Sequence, residues 1–207
     1  MDVWNPFTGE GEAVRALIFD TETTGMVVRD RPPEDSGQPD LVQLGMLLVE
    51  TDDWTPRARH SMLVKLPGGA AIEEGAKKAH GISEDDCRSY GVPLMVAGSL
   101  FNQLCIQADL IVAHNMAFDR SIMQTALHRL GGKPDRMKGV RLLCTMEEST
   151  GLLKIPGRFK SYKWPSLAEA YKYFAQEELE GAHDALVDSE ACLTVFRGLV
   201  DQGTVVL

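Results

Sequence analysis

Asp20 and Glu22 stand two residues apart at the end of an apolar run, so in extended chain both carboxylates project from the same side. Two further acids fall on apolar helix faces. Advancing about 100° per residue along 115–130 puts Phe118, Ile122, Met123, Ala126, Leu127 and Leu130 on one half of the wheel, with Asp119 in the middle of it. Arg120, Ser121, Gln124, Thr125 and His128 fill the other half. Along 184–200, Cys192, Val195, Phe196 and Leu199 mark the buried arc, and Asp188 lies inside it. A buried, unpaired carboxylate costs several kcal/mol even after relaxation. Four such acids are what a site for hard divalent cations requires: Mg²⁺ and Mn²⁺ prefer carboxylate and water oxygens, and four carboxylates can hold two ions about 4 Å apart.

Each acid also has an ordinary reading. An Asp in an apolar arc can pair with a buried Arg or Lys or cap a neighbouring backbone group. Asp20 and Glu22 alone can be strand-end turn residues. The joint occurrence favours the metal site. His183 precedes Asp188 by five residues, too far around a helix for the two to share a face. With Asp184 as the N-cap, His183 sits on the preceding loop and can lean toward the metals as general base for a water nucleophile.

These side chains need a scaffold, and its elements are legible in the chain. Residues 14–20, 41–49 and 61–66 read as strands, with Asp52-Asp53 turning between the last two to make them antiparallel neighbours. Helical stretches follow at 72–79 and 93–107, then a buried strand at 110–113, a helix over 115–130 and a strand at 140–144. Ser166 with Glu169 forms a capping-box pattern that opens a helix to residue 174, and a last helix runs over about 184–200. This pattern predicts a mixed-sheet α/β domain.

Three segments resemble the motifs of the DEDDh (DnaQ-like) 3'-to-5' exonuclease family, which includes the proofreading epsilon subunit of bacterial DNA polymerase III: FDTETTG at 19–25, HNMAFD at 114–119 and GAHDALVD at 181–188. The His five residues before the fourth acid separates this subfamily from the one carrying Tyr. The resemblance spans about 14–200 and implies a ribonuclease-H-like fold: a mixed five-stranded sheet, first three strands antiparallel, with flanking helices. It implies that Asp20, Glu22, Asp119 and Asp188 bind two Mg²⁺ or Mn²⁺ ions and that His183 deprotonates the water that releases a nucleoside 5'-monophosphate from a DNA 3' end. It also implies substrate contacts at Thr23, Thr24, Gly25, Met26, His80, Asn115 and Phe118. The motifs select the reaction and not the sugar, so a ribonuclease of the same family is the nearer alternative. A catalytically silent nucleic-acid-binding domain is the alternative from another class. Residues 26–40 form a Pro-rich loop insertion, Gln43 stands where many relatives have Glu, and the C-terminal tail that tethers epsilon to its polymerase has no counterpart, so a polymerase partner is not expected to be held stably.

The 207 residues fit one domain with a short N-terminal extension at 1–12. No signal peptide and no apolar run near the roughly 20 residues that span a bilayer is visible, and the four Cys are scattered, so a cytoplasmic protein with reduced thiols and no membrane association is expected. The formal charge of -9 argues at first against nucleic acid. The charge is uneven, however: residues 129–163 carry nine basic side chains against three acids, and 158–164 interleave cations with aromatics, a composition suited to single-stranded DNA or, equally, to a solvated loop with its aromatics on the core.

Overall fold

In the computed structural model, residues 14–132, 134–158 and 161–207 are described. The N-terminal extension, Lys133, Phe159 and Lys160 lie outside them. Strands β1 (Arg15–Thr23), β2 (Leu41–Glu50) and β3 (Thr55–Leu63) form an antiparallel meander. Strands β4 (Leu110–Ala113) and β5 (Arg141–Cys144) add in parallel on the other side of β1, giving one five-stranded sheet of order β3-β2-β1-β4-β5. This is the mixed sheet, first three strands antiparallel, that the motifs imply.

Helices cover both faces, which is why β1, β2 and β4 read as nearly continuous apolar runs. On one face Leu17, Phe19, Leu44 and Met46 pack against α3 (Leu94–Gln107) and α4 (Met116–Arg129), with Phe19 and Phe101 edge to face at 5.1 Å. On the other, Ala16, Ile18, Leu47 and Val49 meet α6 (Leu167–Ala175) and α7 (Ala185–Asp201). The remaining helices are α1 (Glu74–His80), α2 (Glu84–Tyr90) and α5 (Thr145–Leu153).

Two sequence expectations are corrected. The third strand starts at Thr55 rather than 61, because it is a sheet edge whose polar residues Arg57, Arg59 and His60 hide the apolar alternation; Pro56 is tolerated beside a register shift at that edge. Thr125, assigned to the wet half of α4, is 2% exposed. Helices α2 and α5 carry no strong apolar period and were not anticipated, although Ser83 and Asp86 form a reciprocal capping box that opens α2. The boxes at Ser166/Glu169 and the Asp184 N-cap form as expected, Asp184 accepting from the N–H groups of Leu186 and Val187.

Candidate active site

The alternation of β1 decides where its acids go. Ile18 faces α7, so Asp20 and Glu22 project from that side too, while Thr21 faces α4. Asp188 comes to meet them from the first turn of α7. The approach depends on Gly45, opposite Asp20 in β2: a Cβ there would lie 2.0 Å from the Ala185 carbonyl oxygen. Gln43, two residues along on the same face, fixes the helix start by donating to Asp184 Oδ2 at 3.0 Å and accepting from Ala185 N–H at 3.1 Å.

Asp119 arrives from the opposite face. Strand β4 ends at Ala113 and its pairing with β1 stops at Ile18, so β1 outruns it and leaves a backbone edge open. Asp119 Oδ1 closes that edge, accepting from the Thr21 N–H at 3.0 Å and the Thr21 hydroxyl at 2.7 Å. The acids therefore meet at the carboxyl ends of β1 and β4, where the chain switches from one side of β1 to the other, the usual crevice of an open α/β sheet.

His183 lies on the turn before α7 with a left-handed backbone (φ 69°), and its N–H donates to Asp188 Oδ2 at 3.1 Å. That turn carries the exposed ring to the acids: donor atoms of Glu22, His183 and Asp188 lie within 4.8 Å of one another. Both helix acids thus spend one oxygen on a backbone N–H, as the ordinary reading allowed. Beyond that, no Lys or Arg pairs with any of the four among the described residues. Asp188 Oδ1 is buried with no partner at all.

The electrostatic result is a set of acids that resist ionising. Burial, then the neighbouring charges of Asp119, Asp188 and Glu22, hold Asp20 well above the usual carboxylate range. Burial and Asp188 push Glu22 up to about 8. Asp119 rises to about 7 through burial, although the two Thr21 donors pull it down, and burial raises Asp188 against the pull of His183. The donor chemistry suits hard divalent cations: clustered carboxylate oxygens, one of them buried without a proton donor, and no side-chain cation among the described residues in the place a metal would take.

Three cavities share the walls Met26 and Phe118. The carboxylate cleft, about 350 Å³, is lined by Asp20, Glu22, Asp119, Asp188 and His183 with Asn115, His114 and Met146. A second, about 290 Å³, is lined by Thr23, Gly25, His80 and Glu73. A third, about 400 Å³, is lined by Arg29, Arg31, Asn115 and Trp164. Thr24 lines none of these; it is buried, and its hydroxyl accepts from Asp40 N–H at 2.9 Å, so it holds the loop instead. A Cβ at Gly25 would meet the carboxyl end of the exposed Glu73 side chain at 2.5 Å, so a larger residue there would have to displace that side chain. His80 is neutral by its partners: Nδ1 accepts from Ile82 N–H at 3.0 Å, leaving Nε2–H to donate to the Thr23 carbonyl at 3.2 Å, and burial lowers its pKa. Asn115 sits at φ 69°, a left-handed conformation Asn tolerates, with its side chain not used as a cap.

His114, the first residue of the second motif, is structural. His114 is driven down to about 4 by burial; its Nε2–H donates to the Pro165 carbonyl at 3.1 Å while Nδ1 faces the Thr145 hydroxyl at 3.0 Å, tying the segment before α6 to the cleft. Of the mixed cationic and aromatic segment, Tyr162 and Trp164 are exposed at 51% and 62%, so these two are not buried in the core.

Known structures share this fold. Over the 90% of the chain that overlays, E. coli exonuclease I in complex with a dT13 oligonucleotide gives a TM-score of 0.73 at 15% identity. The same enzyme with a dA16 oligonucleotide gives 0.72 at 16% identity over 91% of the chain, and its zinc-ion-bound complex with single-stranded DNA gives 0.72 at 15% over 92%. Identities this low speak for fold alone. The chain spans 41% of the length of each of those structures. No curated protein matches it in sequence. The RNase_T family model, described as Exonuclease, matches residues 17–196, an interval that begins inside β1 and takes in all four acids and His183. The chain belongs to the RNase_T exonuclease family.

Proposed function

We propose that the protein is a metal-dependent 3'-to-5' exonuclease that removes nucleoside 5'-monophosphates from single-stranded DNA ends. The observation that carries this reading is the gathering of Asp20, Glu22, Asp119 and Asp188 without a side-chain cation, with Asp188 Oδ1 buried and partnerless. These four residues would hold two ions of the Mg²⁺ or Mn²⁺ class. Bound there, such ions supply an acidified water and neutralise charge on the reacting phosphodiester.

The remaining roles belong to the chain. His183, exposed on its turn and within reach of Glu22 and Asp188, accepts the proton of the attacking water, and its contact with solvent returns that proton to bulk. The cavity beside His80 receives the terminal nucleoside, with Thr23 and Gly25 on its wall. Met26, 73% exposed, and Phe118 stand between that cavity and the cleft, where their apolar faces suit stacking on bases. Asn115 at the cleft rim offers an amide to a phosphate or base edge. The single-stranded DNA named in the exonuclease I complexes supports the same polymer for this chain.

The test is release of mononucleotide from 3'-labelled oligodeoxynucleotides with Mg²⁺ or Mn²⁺, run beside RNA oligomers of the same sequence. Chelation and Asp20→Ala should each abolish release. Release that survives both contradicts the reading, and faster digestion of RNA would reassign the polymer while leaving the reaction.

A further inference from the structure

The loop insertion at 26–40 is built, not loose. At its centre the buried amide of Gln38 accepts from Val28 N–H at 3.0 Å and donates to the carbonyls of Val28 at 3.0 Å and Arg31 at 2.8 Å. From α4, Arg129 clamps the loop's end, donating to the Gln38 carbonyl at 2.6 Å and pairing with Asp40. This fixing gives the loop's outer face a defined shape. That outer face is one wall of the third cavity, about 400 Å³, within the roughly 300–1,000 Å³ common for ligand sites.

Its contents suit a nucleotide. Arg29 and Arg31 bring positive charge to it in an acidic chain, with Glu147 the acid present. Arg31 is held by Asp35 at 3.2 Å, whereas Arg29 makes no ion pair among the described residues. Opposite, Trp164 is 62% exposed, and the next residue's carbonyl is anchored by His114. The cavity shares Met26, Asn115, Phe118 and Met146 with the carboxylate cleft, and only Met26 and Phe118 with the cavity beside His80.

We infer that the 26–40 loop and Trp164 form a second nucleotide subsite, which receives the nucleotides upstream of the one being removed, a base against Trp164 and a phosphate against Arg29. The inference rests on the exonuclease reading for the direction of the strand. Its chemistry is that of single-strand binding, stacking on an aromatic with a cation on the backbone.

The experiment compares kcat/KM on a thymidine octamer with kcat/KM on the p-nitrophenyl ester of thymidine 5'-monophosphate, which carries a nitrophenyl leaving group but no upstream nucleotide base or phosphate. Taking the ratio cancels changes at the catalytic centre. The ratio should fall about tenfold or more in Arg29→Ala/Trp164→Ala and recover largely in Arg29→Lys/Trp164→Phe. A ratio unchanged within about twofold would overturn the subsite. If the wild-type chain cleaves neither substrate, the exonuclease reading fails, and fluorescence anisotropy of a 5'-labelled octamer with Ca²⁺ decides the subsite separately. There, affinity about tenfold weaker in the double variant supports it, and equal affinity overturns it.

Discussion

The two ends of β1 carry the same kinds of residue in opposite states. At its start, Arg15 pairs with Glu50 at 3.2 Å, and Arg57 bridges Glu50 at 3.1 Å and Asp53 at 2.8 Å. Hydrogen bonds from Arg57 and Arg15 hold Glu50 below the ordinary range, and the Thr55 N–H with Arg57 does the same for Asp53. At the other end Asp20 and Glu22 meet two more acids, no guanidinium arrives, and burial drives all four upward. The difference lies in the counter-charge, not in the acids. Where the chain supplies its own cations the carboxylates serve the surface; where it withholds them while still assembling the acids, it leaves the site for which we propose a metal ion.

Changes at the cleft end should therefore be severe. Asp20→Ala removes one of the proposed metal ligands, an effect of several kcal/mol, so activity should drop on the order of 10³-fold or more. Next in size, His183→Ala should lower kcat roughly 10²–10⁴-fold, the usual worth of a general base. Manganese binding, measured by calorimetry, should change far less, and equal loss of both would make His183 a ligand.

A third prediction uses pH. Glu22 at about 8 and Asp119 at about 7 keep protons in the folded state that the unfolded chain releases near pH 4. The metal-free protein should therefore lose stability as pH rises from about 4 to about 8, with little further loss above, and Mn²⁺ should restore it by binding the folded form. Thermal melts in chelator across that range check the sign. Asp119→Asn should flatten the slope, because one of the titrating groups is gone. The smallest effect belongs to the other end of the strand: Arg57→Ala should barely shift the thermal midpoint and leave activity unchanged, since its ion pairs are solvent-screened.

The same contrast explains what the sequence made legible. Asp119 and Asp188 betrayed themselves as charges inside apolar arcs, and His183 and Asp184 followed from helix geometry and capping, all local signals. The extended start of β3 did not, because an edge strand alternates weakly and Arg57 belongs to an ion-pair network rather than to a pattern. Nor did Thr21 as the seat of Asp119, the buried Thr24 hydroxyl, or the Gln38 and Arg129 clamps on the insertion. Thr21 meets Asp119 across 98 residues and Arg129 reaches Gln38 across 91, while the Thr24 and Gln38 contacts depend on how the insertion folds back on itself, and residue type alone does not announce them.

The central claim is that the carboxylate end of β1 is completed by metal. Its most direct measurement is Mn²⁺ binding at neutral pH, followed by electron paramagnetic resonance, in the wild-type chain and in Asp20→Asn and Asp188→Asn. Two ions bound per wild-type chain, with loss of binding in both variants, is the predicted result. Wild-type protein that binds no Mn²⁺, or variants that bind it as well as the wild type, would contradict the account.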